Sequence, residues 1–468
     1  TTDGAALGQW TCGTGTNQQW QRTTGPGPDP SVTPTSPSPS TSVPPPPPPP
    51  PPPAGSKARV IAMTDGEIDD RQSMIRFLLY SSDYDVVGIV QTNSQYQKSG
   101  HSGDRWIERQ IDLYAQVLPN LKVHKSGWPE PAELRRAMRL GNENINDLWR
   151  APADFATKDT PGSQLIIDTL LDNDPRPVHV EAWGGANTVA WALHKLKTQY
   201  PAAQYAKALS KIRIYAILYQ DEGGPWIQNN IPGAQIYECL NLFGTWDYRS
   251  LRGPNPANVK AFMTADWLNT NVKQGHGQLG AHTPQTFVSE GDTPSFLPLI
   301  DNGLRQHDNY LLGGWGGRPV VRSGNYLVDG SDDGNAHKPF WRWIPTAQND
   351  FAARMDWNVK PNFRDANHNP VARVTGSLTR NAAPGSTVEL DASGTTDPDG
   401  NALTYRWWQY HDADSAAAKV GINRANERSG AGFVVPNERG KQVQIILEVT
   451  DNGSPALTHY QRVFVNIQ

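Results

Sequence analysis

Four carboxylates fall within six residues in Asp65-Gly66-Glu67-Ile68-Asp69-Asp70. Side chains of like charge at this spacing repel one another unless protons or a cation intervene. A hard divalent ion held by oxygen atoms resolves the repulsion, and Ca2+ suits a loop of Asp carboxylates and main-chain carbonyls. Acidic residues also favour the first turn of a helix, where they meet the positive end of its dipole. One or two would satisfy that role; four favour a metal. A glycine-rich segment, Gly313-Gly314-Trp315-Gly316-Gly317-Arg318, has neither the spacing nor the Lys of a phosphate loop. The two cysteines, Cys12 and Cys239, sit in no C-x-x-C pair, so a Cys-based zinc site has no support. The 16 Trp divide between two roles, since the ring both stacks on sugar faces and fills cores.

The acidic run lies where a strand gives way to a helix. Residues 59–64 form a short β run, and a helical pattern follows over 69–80 with Met74, Ile75, Phe77, Leu78 and Leu79 as its apolar positions. Residues 85–90 read as a strand and 106–118 as a helix. Farther on, 165–171 is helical, 177–182 a strand, 187–197 a helix and 211–217 a strand. Apolar strands alternating with helices predict a parallel sheet wrapped on both faces. Right-handed crossovers then align the C-terminal ends of the strands along one edge, where ligands bind. After Asn369 the period changes to two. Runs at 370–374, 386–390, 403–408 and 443–449 alternate, separated by turn clusters such as Asp397-Pro398-Asp399-Gly400. They predict an antiparallel β-sandwich over 369–468.

Composition narrows the function. The chain has 468 residues, enough for two or three domains, with 37% hydrophobic and 19% charged residues. A net charge of −4 gives no electrostatic case for a nucleic-acid or anionic-membrane partner. No apolar run is long enough to span a membrane. The first residues carry neither a basic start nor an apolar signal core. Sixteen of the 40 prolines fall between Pro26 and Pro53. Residues 24–57 therefore read as a stiff polyproline spacer. Such Ser/Thr/Pro spacers separate modules in secreted polysaccharide-active proteins, which predicts a secreted, extracellular protein.

Two resemblances sharpen this reading. The segment Gly8-Gln9-Trp10-Thr11-Cys12, with Asn17-Gln18-Gln19-Trp20, resembles the end of one lobe of ricin-type lectins, so residues 1–23 read as a lectin remnant without a complete sugar site. Met63-Thr64-Asp65-Gly66-Glu67-Ile68-Asp69-Asp70 resembles the fingerprint of nucleoside hydrolases. More closely, residues 64–80 resemble the secreted nucleoside-hydrolase-like family of cellulose-binding proteins. The likeness continues through 87–93, 183–188, 223–230, 290–296 and 313–318. It implies an α/β fold with a Rossmann-like, mostly parallel sheet over 58–368, followed by an all-β, immunoglobulin-like sandwich. It also implies Ca2+ as cofactor. Its ligands would be Asp65, Asp70, Asp292 and the Trp183 carbonyl, with Asp69, Asn93 and Asn229 or Asn230 in the substrate pocket. The ion would bind sugar hydroxyls and a water whose proton passes to Asp65. Trp183, Trp226 and Trp315 fall in or near the matched turns, where they would floor a sugar subsite or pack the core.

The departures redirect the chemistry. The fingerprint's first Asp is Met63 here, and the His that assists a departing nucleobase is replaced by Gly291. Glu67 and Glu290 instead add carboxylates. A carboxylic acid whose pKa is raised by its neighbours can protonate a sugar leaving group. With Asp65 as base, this is the inverting glycosidase arrangement. Glu67 equally suits a supporting role in its loop. A solvated loop role for His101 and an orienting role for Glu181 remain the plainer readings of those two residues. The favoured expectation is a secreted hydrolase cleaving a glycosidic bond, a furanoside included, in a poly- or oligosaccharide. The alternatives are a non-catalytic carbohydrate-binding protein with a structural calcium site, and a nucleoside hydrolase. Homo-oligomers stay open, since nucleoside hydrolases commonly associate and the sandwich could block that contact.

Overall fold

A computed structural model describes residues 57–468. The lectin-like run and almost all of the proline-rich spacer lie outside the described residues. Strands β1 (Ala58–Thr64), β2 (Tyr84–Gln91), β3 (Met138–Leu140), β4 (Val178–Ala182), β5 (Ile212–Ile217), β6 (Gln235–Cys239), β7 (Pro319–Ser323) and β8 (Tyr326–Asp329) form one sheet. Its order is β3-β2-β1-β4-β5-β6-β8-β7. Every pairing is parallel except the β7–β8 hairpin. Helices pack on both faces. Ile68–Leu79, Trp106–His124 and Ile344–Trp357 share one buried cluster with Val60 and Ala62 of β1. Pro161–Leu171 and Asn187–Gln199 share the other with Ile61 and Met63. Alternate residues of β1 thus feed opposite cores, which is why this strand reads as a continuous apolar run. The strand order reverses between β1 and β4, and in doubly wound sheets that is where a crevice opens at the C-terminal edge.

The C-terminal part holds β9 (Thr379–Ala382), β10 (Thr387–Asp391), β11 (Leu403–Gln409), β12 (Ser429–Val434), β13 (Gln442–Asp451) and β14 (Thr458–Ile467). The pair β10-β12 and the sheet β11-β13-β14-β9 enclose one apolar core, with Val388, Leu390, Phe433, Trp407, Ile445, Leu447 and Val463 inside. Two expectations need correction. The sandwich is not wholly antiparallel, because β9 lies parallel to β14 at the sheet edge. Residues 370–374 form no strand beyond a bridge from Val371 to Thr396.

The junction between the two parts is a continuous core. Tyr410, Ile446 and Tyr460 of the sandwich lie in the same cluster as Trp315 and Trp343. Arg462 is fully buried there and donates to the carbonyls of Leu304 (2.8 Å) and Gly313 (2.7 Å) and to the Gln444 side chain (2.6 Å). These bonds satisfy carbonyls that water cannot reach. A cleft of about 350 Å3 opens nearby, lined by Arg342, Trp408, His411, Asp412 and Lys419. It is remote from the acidic run in sequence and shares none of its residues.

Arg462→Met keeps the side-chain volume and strands both carbonyls. It is expected to cost about 2–4 kcal/mol, read as a lower urea midpoint with an unchanged transition slope.

Candidate functional site

β1 ends at Thr64, and Asp65 is the next residue out of the C-terminal edge. The chain then turns at Gly66, whose φ of +79° suits glycine. A Cβ there would also meet His101 Cβ at 2.8 Å and Trp106 Nε1 at 2.9 Å. Helix Ile68–Leu79 follows, and its first turn carries Asp69 and Asp70. The Thr64 hydroxyl donates to Asp70 Oδ1 and ties the strand end to the helix start. Asp292 arrives from the far end of the sequence, just before the short helix Thr293–Phe296. One carboxylate oxygen from each of Asp69, Asp70 and Asp292 lies within 4.8 Å of the others.

Glycines clear the space around these acids. At Gly184 a Cβ would sit 2.8 Å from Asp65 Cβ and Cγ, and at Gly291 it would sit 2.6 Å from Asp69 Oδ2. A side chain at position 291 would have to displace the Asp69 carboxylate. Asp65 is 1% exposed, and neither of its carboxylate oxygens makes a well-formed hydrogen bond among the described residues, although Ser94, Asp70 and the backbone of its own turn lie close enough to favour its charge. Asp292 Oδ2 is likewise unpartnered. Burial, then the charges of Asp65 and Asp69, push the Asp70 carboxyl well above its ordinary range. Burial and the charges of Asp70, Asp69, Asp65 and Glu67 do the same to Asp292. Burial raises Asp65 as well. Asp69 is pushed up to about 6, mainly by burial, and Glu67 to about 8 by burial and then by Asp65 and Asp69. Closely spaced hard oxygens, three of them buried without a well-formed hydrogen bond, fit a divalent cation such as Ca2+.

The grouping differs from the expected ligand set. Asp69, assigned to the substrate pocket, joins Asp70 and Asp292, while Asp65 stands beside Asp70. The Trp183 carbonyl instead accepts from the Gln220 side-chain amide. The Trp183 ring is 1% exposed, wedged against Phe77 and Phe296, with Nε1 donating to Ser295 Oγ at 2.8 Å. Trp315 is equally buried, in the junction core. Neither ring offers a face to a sugar. Trp226 is half-buried, packing edge-on against His194 and against the outside of the helix-covered core. Asn229 and Asn230 end helix Gly223–Asn230, which starts at the C-terminal edge and runs away from it. They are exposed, and Asn230 Nδ2 donates to the Trp226 carbonyl. Only Asn93 stays by the crevice. It is buried, its amide donates to the Lys98 carbonyl, and its own carbonyl accepts from Gly185 N.

Glu290 is corrected from acid catalyst to support. It is buried and gripped by Arg76, with Nε to Oε2 at 2.5 Å and Nη2 to Oε1 at 3.0 Å, and it accepts from Thr293 Oγ1 at 2.8 Å. Arg76 sits on the helix that carries Asp69 and Asp70, and Glu290 lies two residues before Asp292. The ion pair therefore fixes Asp292 relative to the other two acids. Glu181 is fully buried on β4, away from solvent. His101 bonds Asp104 through Nδ1 (2.8 Å) and Gln97 Oε1 through Nε2 (2.9 Å), and the Gln97 side chain bonds Glu67.

Asp221 went unnoticed in the sequence. It is buried and accepts from Asn187 N (2.8 Å) and Gly223 N (2.9 Å), holding two helix starts beside the crevice. Its only sequence signal is the Asp-Glu-Gly-Gly run at a strand-to-helix turn. The exposed rings Tyr96 and Tyr248 carried no signal at all, because their loops meet only in the fold.

Comparison with known proteins follows the same lines. A family profile described as "Cellulose-binding Sde182, nucleoside hydrolase-like domain" matches residues 59–318. Another, "Cellulose-binding protein Sde0182, C-terminal domain", matches residues 387–467. A solved structure of a nucleoside hydrolase-related hypothetical protein from Saccharophagus degradans, described as associated with carbohydrate metabolism, is 34% identical with a TM-score of 0.76. The match covers 88% of this chain and 100% of that one. The solution structure of the PKD domain from KIAA 1837 protein aligns over 21% of this chain and 89% of that one at 16% identity, and its TM-score of 0.17 carries no weight. No curated protein matches.

The raised carboxyls make a prediction for the protein with divalent ions chelated. Folded Asp69 and Glu67 titrate at about 6 and about 8, above the ordinary 3.8 and 4.5. The folded state then holds more protons than the unfolded state across that window. Stability contributed by these protons is present at low pH and lost as pH rises through it. In EDTA, melting temperature is expected to fall more steeply between about pH 5 and pH 8 in the wild type than in Asp70→Asn. Added Ca2+ is expected to restore the wild type at the upper pH and to leave the variant little changed. Parallel slopes, with no calcium effect, would remove the case for a cation.

Proposed function

This chain belongs to the nucleoside hydrolase-like family of cellulose-binding proteins, and we propose that it is a secreted hydrolase that cleaves a glycosidic bond in a glycan at the acidic crevice. The observation that carries the reading is Asp65. Burying a carboxylate with neither oxygen in a well-formed hydrogen bond is unfavourable unless something else occupies the space beside it. Asp65 has that environment at the crevice of the sheet, next to a group of acids suited to a cation.

Asp69, Asp70 and Asp292 would hold Ca2+, with Asp65 beside them. A bound divalent ion supplies Lewis acidity and orients oxygen ligands. The chain's own groups divide the proton work. Asp65 accepts a proton from the attacking water as the water oxygen bonds to the anomeric carbon. Glu67, pushed up to about 8, is protonated at neutral pH and gives its proton to the departing sugar oxygen. Glu67 is half-buried at the rim, where a leaving group can reach it, whereas Glu290 is locked to Arg76. Gln97 bonds Glu67, and His101 holds Gln97, so the acid is oriented from the side. The missing His and the crowded position of Gly291 weigh against a nucleoside substrate. A second reading, a glycan-binding protein with a structural calcium site, is favoured by the family's cellulose-binding description.

Reducing-sugar release across a panel of glycans separates these readings. Asp65→Asn is expected to lower kcat by about a hundredfold or more with little change in glycan affinity. Glu67→Gln is expected to lose turnover of natural glycans but to keep much of it on aryl glycosides, whose leaving group needs no proton. A wild type that binds cellulose and releases nothing from any glycan would leave the binding reading. Inosine or uridine cleavage would restore the nucleosidase.

A further inference from the structure

Trp183 and Trp315, expected to floor a sugar site, are in the core, and Trp226 is half-buried on the helix side, so the exposed rings are the ones to account for. Of the four most exposed aromatic side chains among the described residues, Tyr96 (56%), Trp149 (59%) and Tyr248 (62%) lie in loops at the C-terminal edge of the main sheet. The fourth, Phe363, is stacked on His368 with ring centroids 3.7 Å apart. Leu240 and Leu251 are exposed in the loop after β6, and Ile68 at the start of the helix after β1. Exposed apolar groups gathered around a pocket mark a binding surface more often than chance scatter.

Two of these loops are tied to a common neighbour. Loop 94–97 follows β2 and bonds the loop after β5 through Gln95 N to the Gln220 carbonyl (2.9 Å). The loop after β5 in turn bonds the Trp149 loop through Glu222 N to the Leu148 carbonyl (2.8 Å). Partial burial, then Glu67 and Tyr248, push the Tyr96 hydroxyl up, with Arg249 opposing. Glu67, Tyr248 and Arg249 therefore lie near Tyr96.

Each ring stands on a pinned loop. Ser94 Oγ accepts from Tyr96 N (3.0 Å) and Gln97 N (3.1 Å). Asp247 Oδ1 accepts from Gly244 N (2.8 Å) and Arg249 N (2.9 Å), and the Arg249 guanidinium stacks over Phe243 and Tyr248. Asp147 accepts from Ala156 N (2.6 Å), Thr157 N (2.8 Å) and Asn142 Nδ2 (3.1 Å) beneath Trp149. Loops fixed before binding lose little freedom when a ligand arrives.

We propose that Tyr96, Trp149 and Tyr248 form a platform across the mouth of the acidic crevice that binds an extended, neutral glucan chain. The proposal rests on reading the crevice as a glycan site. Tyr and Trp present a flat apolar face with a polar edge, which suits the alternating C–H faces and hydroxyl edges of a sugar. Stacking on these rings makes no use of ligand charge, so a neutral chain suits them. Three rings along one edge fit a polymer running across the crevice better than a single nucleoside seated within it.

The test is binding, scored in the full chain carrying Asp65→Asn so that hydrolysis cannot consume the probe. Microcrystalline cellulose and cellohexaose serve as probes, with polygalacturonate as the charged contrast. Tyr96→Ala, Trp149→Ala and Tyr248→Ala are each expected to weaken binding by about threefold to tenfold. The triple variant is expected to lose roughly a hundredfold, with calcium-dependent thermal stabilisation retained. Phe363→Ala should bind like its parent, and polygalacturonate should bind neither. A triple variant with parental affinity overturns the platform, as does a parent that binds neither neutral probe. Loss confined to Trp408→Ala also overturns it and moves the glycan to the junction cleft. An Asp65-intact protein that binds through these rings without cleaving any glycan overturns the hydrolase reading alone.

Discussion

The crowding of acids at one end of one strand is the constraint on which the rest of this structure depends. Asp65, Asp69, Asp70 and Asp292 are drawn together where water is largely excluded. Burial disfavours each charge, and each charge disfavours the next. The surrounding structure serves that arrangement. Gly66 permits the turn, Gly184 makes room for Asp65 and Gly291 makes room for Asp69. Thr64 holds one Asp70 oxygen and leaves the acids facing a common space. Protons or a divalent cation can neutralise such a site.

Arg76 solves the problem of holding residues far apart in sequence at one point. It reaches from the helix bearing Asp69 and Asp70 to Glu290 and to the Gln348 side chain, and its guanidinium lies over the rings of Trp246 and Phe351. Removing one member of a buried pair typically costs about 3–5 kcal/mol, because the other charge is left uncompensated. The pair therefore fixes geometry more than it adds net stability. The sandwich acts on a larger scale. By sharing its core with Trp315 and Trp343, it braces the segment 302–318 that follows the Asp292 turn.

In the proposed reading, binding and bond cleavage would use different parts of the same edge. The rings stand on loops after β2, β3 and β6, whereas the acids sit after β1 and before Thr293–Phe296. Substitution at the rim can then change which glycan is held without disturbing the charges at the centre. The same division explains how one family can combine a hydrolase-like site with a name that describes only binding.

The α/β alternation and the later period-two runs were legible because burial periodicity is local. Apolar residues on β1 or on helix Ile68–Leu79 announce their partners whatever lies elsewhere in the chain. The acidic cluster was legible for a related reason, since carboxylates packed into six residues need an explanation in any fold. What stayed hidden depended on which distant segments meet. Sequence proximity suggested Glu290 as an acid, but its distance to Arg76 across 214 residues makes it an ion pair. A Trp in a matched turn looks the same whether it faces solvent or, like Trp183, lies between Phe77 and Phe296. Conversely, Tyr96, Trp149 and Tyr248 are unremarkable in the chain and come to one edge only in the fold. Local composition determined the elements and the charge that must be neutralised, while long-range packing decided which side chains meet it, because desolvation depends on everything that surrounds a group rather than on what precedes it in sequence.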